Sequence, residues 1–286
     1  MANLFNKQAK LYRQTRPSYP PQLFDFIASK THNHDLAWDV GTGSGQAAIS
    51  LAKIYKNVVA TDTSEQQLSY APKLPNIRYQ QTPPTMSLSQ LHHTVAPRDS
   101  VDVITAAQSF HWFDAPEFFN QAKSVLRKPQ GVLAVWCYTE PSVNEAVDAL
   151  YATLYKESKP YWADERKKVD DRYASIDFPF EGVEGISDGS TGPFEFVSEK
   201  AMTLEAFFTY IRSWSAYQTA RSEGVELLSE EVVNQFERAW RGNGNVEVNC
   251  EKIVRYPVHL RIGKVGTNYY EESDYLGHTK SYAHPS

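Results

Sequence analysis

Leu36-Ala-Trp-Asp-Val-Gly-Thr-Gly-Ser-Gly-Gln-Ala-Ala-Ile-Ser-Leu-Ala52 reads as a buried strand, a glycine-rich turn and the start of a helix. Gly41, Gly43 and Gly45 remove three Cβ atoms within five residues, so the backbone can take positive φ values and pass close to a bound molecule. Ser44 and the new helix N-terminus add donors and partial positive charge, which suit a polar or anionic head. The spacing is G-x-G-x-G, not the G-x-G-x-x-G that seats a dinucleotide pyrophosphate, and an acid, Asp39, stands just before it. Alone, the turn predicts a nucleotide-like ligand near the backbone, and a tight strand-to-helix turn without a ligand fits it as well.

Further along, Gln46–Lys56 reads as a helix and Asn57-Val-Val-Ala-Thr-Asp62 as a second strand ending in an acid. A carboxylate at that place, roughly 20 residues past the turn, can accept both hydroxyls of a ribose. With Thr63 or Ser64 it can instead cap a helix over Glu65–Tyr70. Asn76–Thr82 makes a third strand, entered through Pro72 and Pro75, and Ser87–Val95 a helix. Val101–Ala106 is a fourth strand, with Gln108-Ser-Phe-His-Trp-Phe113 at its carboxyl end, where open α/β sheets place ligand contacts. A helix over Glu117–Leu126 is stopped by Lys128-Pro-Gln-Gly131, and Gly131–Tyr138 is apolar enough to be a strand buried on both faces. Strands alternating with helices predict an α/β domain with a parallel sheet.

The Asp39/Gly41/Gly43/Gly45 turn resembles motif I of the class I S-adenosylmethionine-dependent methyltransferases. The blocks Ala106-Ala-Gln-Ser-Phe-His-Trp-Phe113 and Val125-Leu-Arg-Lys-Pro-x-Gly131-x-Leu133 resemble the same family. Phe5…Ala9…Tyr12…Arg16-Pro-x-Tyr19-Pro20 and Ser213-Trp-Ser-Ala-Tyr-Gln218 are similar to its trans-aconitate methyltransferase-like, type 11 group. The resemblance covers residues 3–140 and weakens afterwards. It implies a Rossmann-like, doubly wound, mostly parallel seven-stranded sheet with an antiparallel edge strand and an inserted helical, aromatic substrate cap. It divides the chain into an N-terminal helical lid (1–35), a cofactor core (36–140), a substrate cap with closing strands (141–262) and a tail (263–286).

The cofactor so implied is S-adenosyl-L-methionine. Asp39 and the backbone of Gly41, Gly43 and Gly45 would hold its methionine part, and Asp62 with Thr63 its ribose. Gln81 or Thr82 would border the adenine, although the loop lacks the acid usual there, while Gln108 and Tyr12 would complete the cofactor site. His111 is the candidate catalytic residue: it can assist deprotonation, hold the acceptor by a hydrogen bond, or only cap local structure. Arg16, Tyr19, Trp112, Tyr138, Tyr210, Trp214 and Tyr217 are the expected acceptor contacts, with the last three on a single helix over Thr203–Gln218. A buried core face explains that aromatic stripe equally well.

Composition narrows the partners. The 286 residues carry a net charge of −5 without a basic cluster, which argues against nucleic acid and leaves a small-molecule acceptor. No run approaches the roughly 18 apolar residues of a membrane span. The two cysteines, Cys137 and Cys250, have no metal spacing and predict reduced thiols in a cytoplasmic protein with no metal. Oligomeric state is written in none of these features. Methyl transfer from a sulfonium is an in-line displacement, so alignment and water exclusion are the main requirements. Carboxylate oxygens need no general base, and the absence of a visible acid/base dyad fits O-methylation of a carboxylate. Transfer to nitrogen or carbon, a related cyclase, an NAD-dependent oxidoreductase and a non-catalytic cofactor-binding protein remain as alternatives.

Overall fold

The computed structural model describes residues 16–186, 189–242 and 250–266. The opening turn follows β1 (Leu36–Val40) and leads into α2 (Gln46–Leu51), after an earlier helix, α1 (Pro21–Ser29), that starts on a proline suited to the first turn. β2 (Asn57–Asp62), α3 (Glu65–Ser69), β3 (Ile77–Gln81), α4 (Leu88–Thr94) and β4 (Val103–Ala107) then alternate as expected. The Gln108–Phe113 loop contains a short 3-10 turn, Phe110–Trp112, and is followed by α5 (Ala115–Val125) and β5 (Val132–Tyr138). Side chains start most of these helices: Ser64 accepts from Gln67 N–H, Ser87 and Gln90 form a capping box, and Asp114 accepts from Glu117 N–H.

The helices α6 (Glu145–Ser158) and α7 (Arg166–Asp170) lie between β5 and β6 (Phe194–Met202). The helices α8 (Leu204–Arg212), α9 (Ser215–Ser222) and α10 (Glu230–Arg241) separate β6 from β7 (Lys252–Lys264). The seven strands form one sheet in the order β3-β2-β1-β4-β5-β7-β6. β1, β2, β3, β4 and β5 pair in parallel, and β7 is antiparallel to both β5 and β6. The reversal of strand order around β1 and β4 opens a crevice at their carboxyl ends, where such sheets bind ligands.

The two faces of the sheet are covered by two separate cores, and β5 shows why its sequence is continuously apolar. Val132, Ala134, Trp136 and Tyr138 point to the side of Leu23, Ile27 and Leu51, whereas Leu133, Val135 and Cys137 point to the side of Phe110, Phe118 and Ala122. Successive strand residues alternate faces, so a strand buried on both has no polar position.

The expected antiparallel edge is present: β7 runs antiparallel between β5 and β6, and β6 forms the edge. Two expectations need correction. The helix expected over Thr203–Gln218 is two helices, because Trp214 is extended (φ −67, ψ 141) and restarts the chain as the N-cap residue of α9. The helix expected over Gln46–Lys56, α2, is shorter than its apolar pattern suggested and ends at Leu51. Residues 1–15 of the expected lid, 243–249 of the expected closing strands and most of the tail lie outside the described residues.

Candidate functional site

The turn that organises the sequence is held in a left-handed conformation at all three glycines, with φ of +65, +57 and +84 at Gly41, Gly43 and Gly45. The reasons differ by position. A Cβ on Gly41 would lie 2.6 Å from Ser109 Cβ, and one on Gly45 would lie 2.6 Å from the Tyr79 hydroxyl. These two glycines are required by packing. A Cβ on Gly43 meets nothing closer than Gln46 Oε1 at 4.0 Å, and Gly43 lines the cavity. That is the cradle expected for a ligand lying against backbone.

Asp62 fixes this cradle. Its Oδ2 accepts from Gly43 N–H at 2.8 Å and its Oδ1 from Ser64 N–H at 2.9 Å, so the carboxylate at the β2 terminus is tied to the turn and lines the cavity. Thr63 and Thr82 line the same wall. Gln81 does not: its amide donates to the Thr63 carbonyl at 3.0 Å and holds the two loops together. Asp39 is also absent from the wall. It is fully buried, with its two oxygens taking the hydroxyls of Thr42 and Thr105, both at 2.6 Å. Burial pushes its carboxyl up to about 6, against the pull of those two hydroxyls. Asp39 therefore braces the turn from below, and Gly45 likewise sits behind it, facing Tyr79.

Across the crevice, Gln108 adopts φ +54, donates its N–H to Trp136 O and accepts Tyr138 N–H on its side-chain oxygen, both at 2.8 Å. The loop is thus welded to β5 at the cavity wall. His111 is buried, its Nδ1 lying 3.1 Å from the Tyr173 hydroxyl and its carbonyl accepting from Lys168 Nζ at 3.2 Å. Burial and the nearby charges of Arg166 and Lys168 lower its imidazole to about 3, so it is neutral at physiological pH and a weak base. Trp112 is 56% exposed at the cavity rim.

The cavity measures about 820 Å³, ample for an adenosyl cofactor beside a small acceptor. Its other half is built by the segment before α1, the end of β5 and the cap. Arg16 Nη1 donates to the Tyr138 hydroxyl at 2.5 Å, and its Nη2 reaches the Ser213 carbonyl at 3.3 Å. That carbonyl lies at the break between α8 and α9. Tyr19 stands edge-on to Trp136 with centroids 5.3 Å apart, and Tyr210 edge-on to Trp214 at 6.1 Å. Of the expected acceptor contacts, Arg16, Tyr19, Trp112, Tyr138, Tyr210 and Trp214 line the cavity. Tyr217 does not, since its hydroxyl donates to Glu226 at 2.5 Å beyond the α8–α9 break. Tyr12 lies outside the described residues.

Tyr151, Tyr155, Trp162 and Arg166 are among the lining residues that escaped the sequence reading. Tyr151 and Tyr155 stack in parallel, 7° between planes, one turn apart on α6. Their spacing, with Val147, Leu154 and Ser158 also buried, was the available signal. Arg166 stood within a charged run that reads as solvated, yet its side chain is only 17% exposed. Its Nε donates to Tyr155 Oη and Asp170 Oδ1, each at 3.0 Å, and its guanidinium lies 4.5 Å from the Trp162 ring centre.

A mostly parallel sheet with this strand order, a glycine cradle braced by two acids and a cleft at the strand ends define a nucleoside-cofactor-binding fold. Residues 38–135 match the model of a methyltransferase domain. A Dictyostelium discoideum protein described as a methyltransferase is 31% identical over 265 residues, which span 91% of this chain and 94% of that one. A Saccharomyces cerevisiae protein described as an S-adenosylmethionine-dependent methyltransferase is 27% identical over 241 residues, 74% of this chain and 80% of that one. The structure of a protein described as a type II methyltransferase from Anaeromyxobacter dehalogenans superposes with a TM-score of 0.74 at 30% identity, covering 88% of this chain and 99% of that one. The chain belongs to the class I S-adenosylmethionine-dependent methyltransferases. It is an enzyme that uses S-adenosyl-L-methionine, which sets aside the NAD and non-catalytic alternatives. Among the described residues no helix is long and apolar enough to cross a membrane, and no cluster of side chains is arranged to hold a metal.

Proposed function

We propose that the enzyme methylates a carboxylate oxygen of a small, anionic metabolite. The observation that carries this reading is the chemistry of the cap-side half of the cavity. Arg16 and Arg166 supply two cations there; no Lys or Cys is among the described lining residues, and the acids that are, Asp62, Asp114 and Glu117, stand at the end of β2 and the start of α5. The tyrosines cannot take a proton: burial raises the hydroxyls of Tyr19, Tyr151, Tyr155 and Tyr210 above their ordinary range. His111, at about 3, is too weak a base to ionise an alcohol or phenol. An accepting oxygen must therefore arrive already ionised, and a carboxylate does so at neutral pH.

In this reading Gly43, Thr63 and Thr82 bind S-adenosylmethionine along the glycine-turn wall, Asp62 takes the ribose hydroxyls, and Gln108 fixes the loop nearest the transferred group. The cofactor, when bound, supplies a methyl group activated by its sulfonium. Arg16 orients the acceptor through one guanidinium edge while Tyr138 and Ser213 hold that guanidinium in place. His111, neutral, contributes a hydrogen bond and no proton transfer. The ring wall of Tyr210 and Trp214 excludes water, so that alignment supplies most of the rate.

The reaction is read by incubating the enzyme with a metabolite extract and methyl-labelled S-adenosylmethionine, then isolating labelled products by mass spectrometry. A methyl ester, recognised by release of labelled methanol in mild alkali, is the expected product. An alkali-stable ether, amine or carbon-linked methyl group would overturn the carboxylate assignment.

A further inference from the structure

Tyr173 stands outside the cavity lining, wholly buried, shortly past the end of α7. Its backbone is left-handed (φ +59), directly after a left-handed Arg172 (φ +59). Two successive non-glycine residues in that region are costly, more so for a bulky ring, and such strain persists only where the surroundings hold it. Arg261 of β7, itself buried, does the holding: its Nη1 donates to the carbonyls of Tyr173 at 2.8 Å and of Ala174 and Ile176, both at 3.3 Å. The turn so fixed sets the Tyr173 ring edge-on to Phe110, with centroids 5.7 Å apart, and its hydroxyl 3.1 Å from His111 Nδ1. Lys168, from the same segment, holds His111 by its carbonyl.

The contact between Tyr173 and His111 has one direction. Burial keeps the phenol protonated, pushing its ionisation well above the ordinary range. Among the described residues His111 Nδ1 is the one acceptor within reach of this O–H, and a buried donor without an acceptor is costly. The hydroxyl therefore donates to Nδ1, and a neutral imidazole that accepts on Nδ1 carries its single proton on Nε2. Nε2 lies across the ring from Tyr173, has no hydrogen-bond partner among the described residues, and belongs to a side chain that lines the cavity. We infer that Tyr173 is a positioning residue that locks His111 as an Nε2–H donor, so that the imidazole meets the methyl acceptor by donating to an oxygen lone pair. In the site that lone pair belongs to the carboxylate oxygen that is not methylated, which leaves the other oxygen to face the sulfonium. A group that can only donate, such as an ammonium, finds no partner at this point. The group that takes the bond rests on the carboxylate reading above; the tautomer does not.

The tautomer is read by nitrogen NMR of the full-length enzyme, isotope-labelled at histidine and saturated with S-adenosylhomocysteine at neutral pH, with His111→Leu identifying the His111 signals. The wild type should show one neutral form, protonated on Nε2 and bare on Nδ1. Tyr173→Phe keeps the ring and loses the hydroxyl. It should bind S-adenosylhomocysteine as the wild type does by calorimetry, while the two His111 nitrogens move towards an average of both tautomers. Turnover is followed with methyl-labelled S-adenosylmethionine and the metabolite extract. His111→Leu should slow formation of the labelled product about tenfold or more, the weight of a hydrogen bond to a charged group, and Tyr173→Phe about threefold, that of a neutral one. In the His111→Leu background Tyr173→Phe should slow it no further, because a residue that acts through another has nothing left to act on. A wild-type ring protonated on Nδ1, a Tyr173→Phe spectrum identical to the wild type, or a further loss in the double variant overturns the inference. Should Tyr173→Phe fail to fold, the wild-type tautomer and the His111→Leu rate decide. An alkali-stable product beside an Nε2–H tautomer would overturn the carboxylate reading alone. A methyl ester made as fast by His111→Leu would overturn this inference alone.

Discussion

Alanine at Gly41 and at Gly43 should fail for different reasons, and the difference tests how the glycine turn works. Both glycines have a left-handed backbone, at φ +65 and +57, so either substitution incurs the left-handed penalty of roughly 1–2 kcal/mol. At Gly41 the new methyl group also lands 2.6 Å from Ser109 Cβ and 2.8 Å from its Oγ, which itself donates to the Val40 carbonyl at 2.9 Å. Ser109 cannot retreat without breaking that bond, and overpacking adds about 1–3 kcal/mol. Gly41→Ala should therefore cost about 2–5 kcal/mol of stability, the sum of the two. Gly43→Ala meets no atom within contact distance and should cost only about 1–2 kcal/mol, but its methyl group stands in the cavity. Urea denaturation should rank Gly41→Ala well below Gly43→Ala in stability. Calorimetry on the folded fraction should show Gly43→Ala weakening S-adenosylmethionine by about tenfold or more, equivalent to about 1.4 kcal/mol. Equal stability losses would refute the steric argument. An unchanged affinity in Gly43→Ala would refute the claim that the cofactor lies on this backbone.

Three further outcomes follow from the same geometry. Asp62→Ala removes the acceptors of Gly43 and Ser64 N–H and should weaken S-adenosylmethionine at least about tenfold while costing about 1–3 kcal/mol of stability; a variant with wild-type affinity by calorimetry would contradict the role given to this acid. The Asp39 carboxyl, raised to about 6, is favoured in the fold when protonated, so its contribution is intact below its ordinary value and is lost as pH rises through 6. Asp39→Asn should thus gain on the wild type between pH 4 and 6, by up to about 3 kcal/mol, whereas His111→Gln, which removes an imidazole lowered to about 3, should be protected from the stability lost as pH falls from about 6.5 towards 3. Urea midpoints at several pH values check both, and a difference from wild type that does not change with pH would count against each. Asp102, almost fully buried, accepts from the N–H groups of Asp35 and Leu36 and from Arg127 Nε at 2.6 Å. Asp102→Ala should cost about 2–4 kcal/mol, less than a fully buried pair because Arg127 is partly exposed, and should leave S-adenosylmethionine affinity alone; a loss of affinity would show that this brace extends to the cleft.

What the sequence showed and what it hid divides along a physical line. The glycine turn, Asp62 and the Gln108 loop were legible because each is a local feature at a strand end, where a few adjacent residues determine backbone path and exposure. Asp39 was legible as part of the motif but not in its task, because the hydroxyls that occupy it come from Thr42 and, across the sheet, Thr105. Arg166 and Trp162 were invisible, since a cation stacked on a ring inside a cleft looks in sequence like any solvated charge in a polar run. The break before Trp214 was hidden as well: no proline or glycine marks it, and the helical spacing of Leu204, Phe207, Phe208 and Ile211 runs into it without warning. Part of its compensation comes from far away, as Arg16 supplies a donor to the Ser213 carbonyl at the break. The place of β7 inside β6 depends on pairing between strands distant in the chain, which alternation alone does not encode.

The contacts of Arg16 have a consequence for the order in which this enzyme is made. Its side chain joins Tyr138 and Ser213, 122 and 197 residues away, and its carbonyl takes the Lys200 ammonium from a distance of 184 residues. Contacts of such span close late, because the entropy of a long loop must be overcome before they form. During synthesis the glycine turn and its five parallel strands leave the ribosome well before Lys200 and Ser213, which close the far side of the cavity around Arg16. A nascent chain can thus have its glycine turn before its cavity is closed.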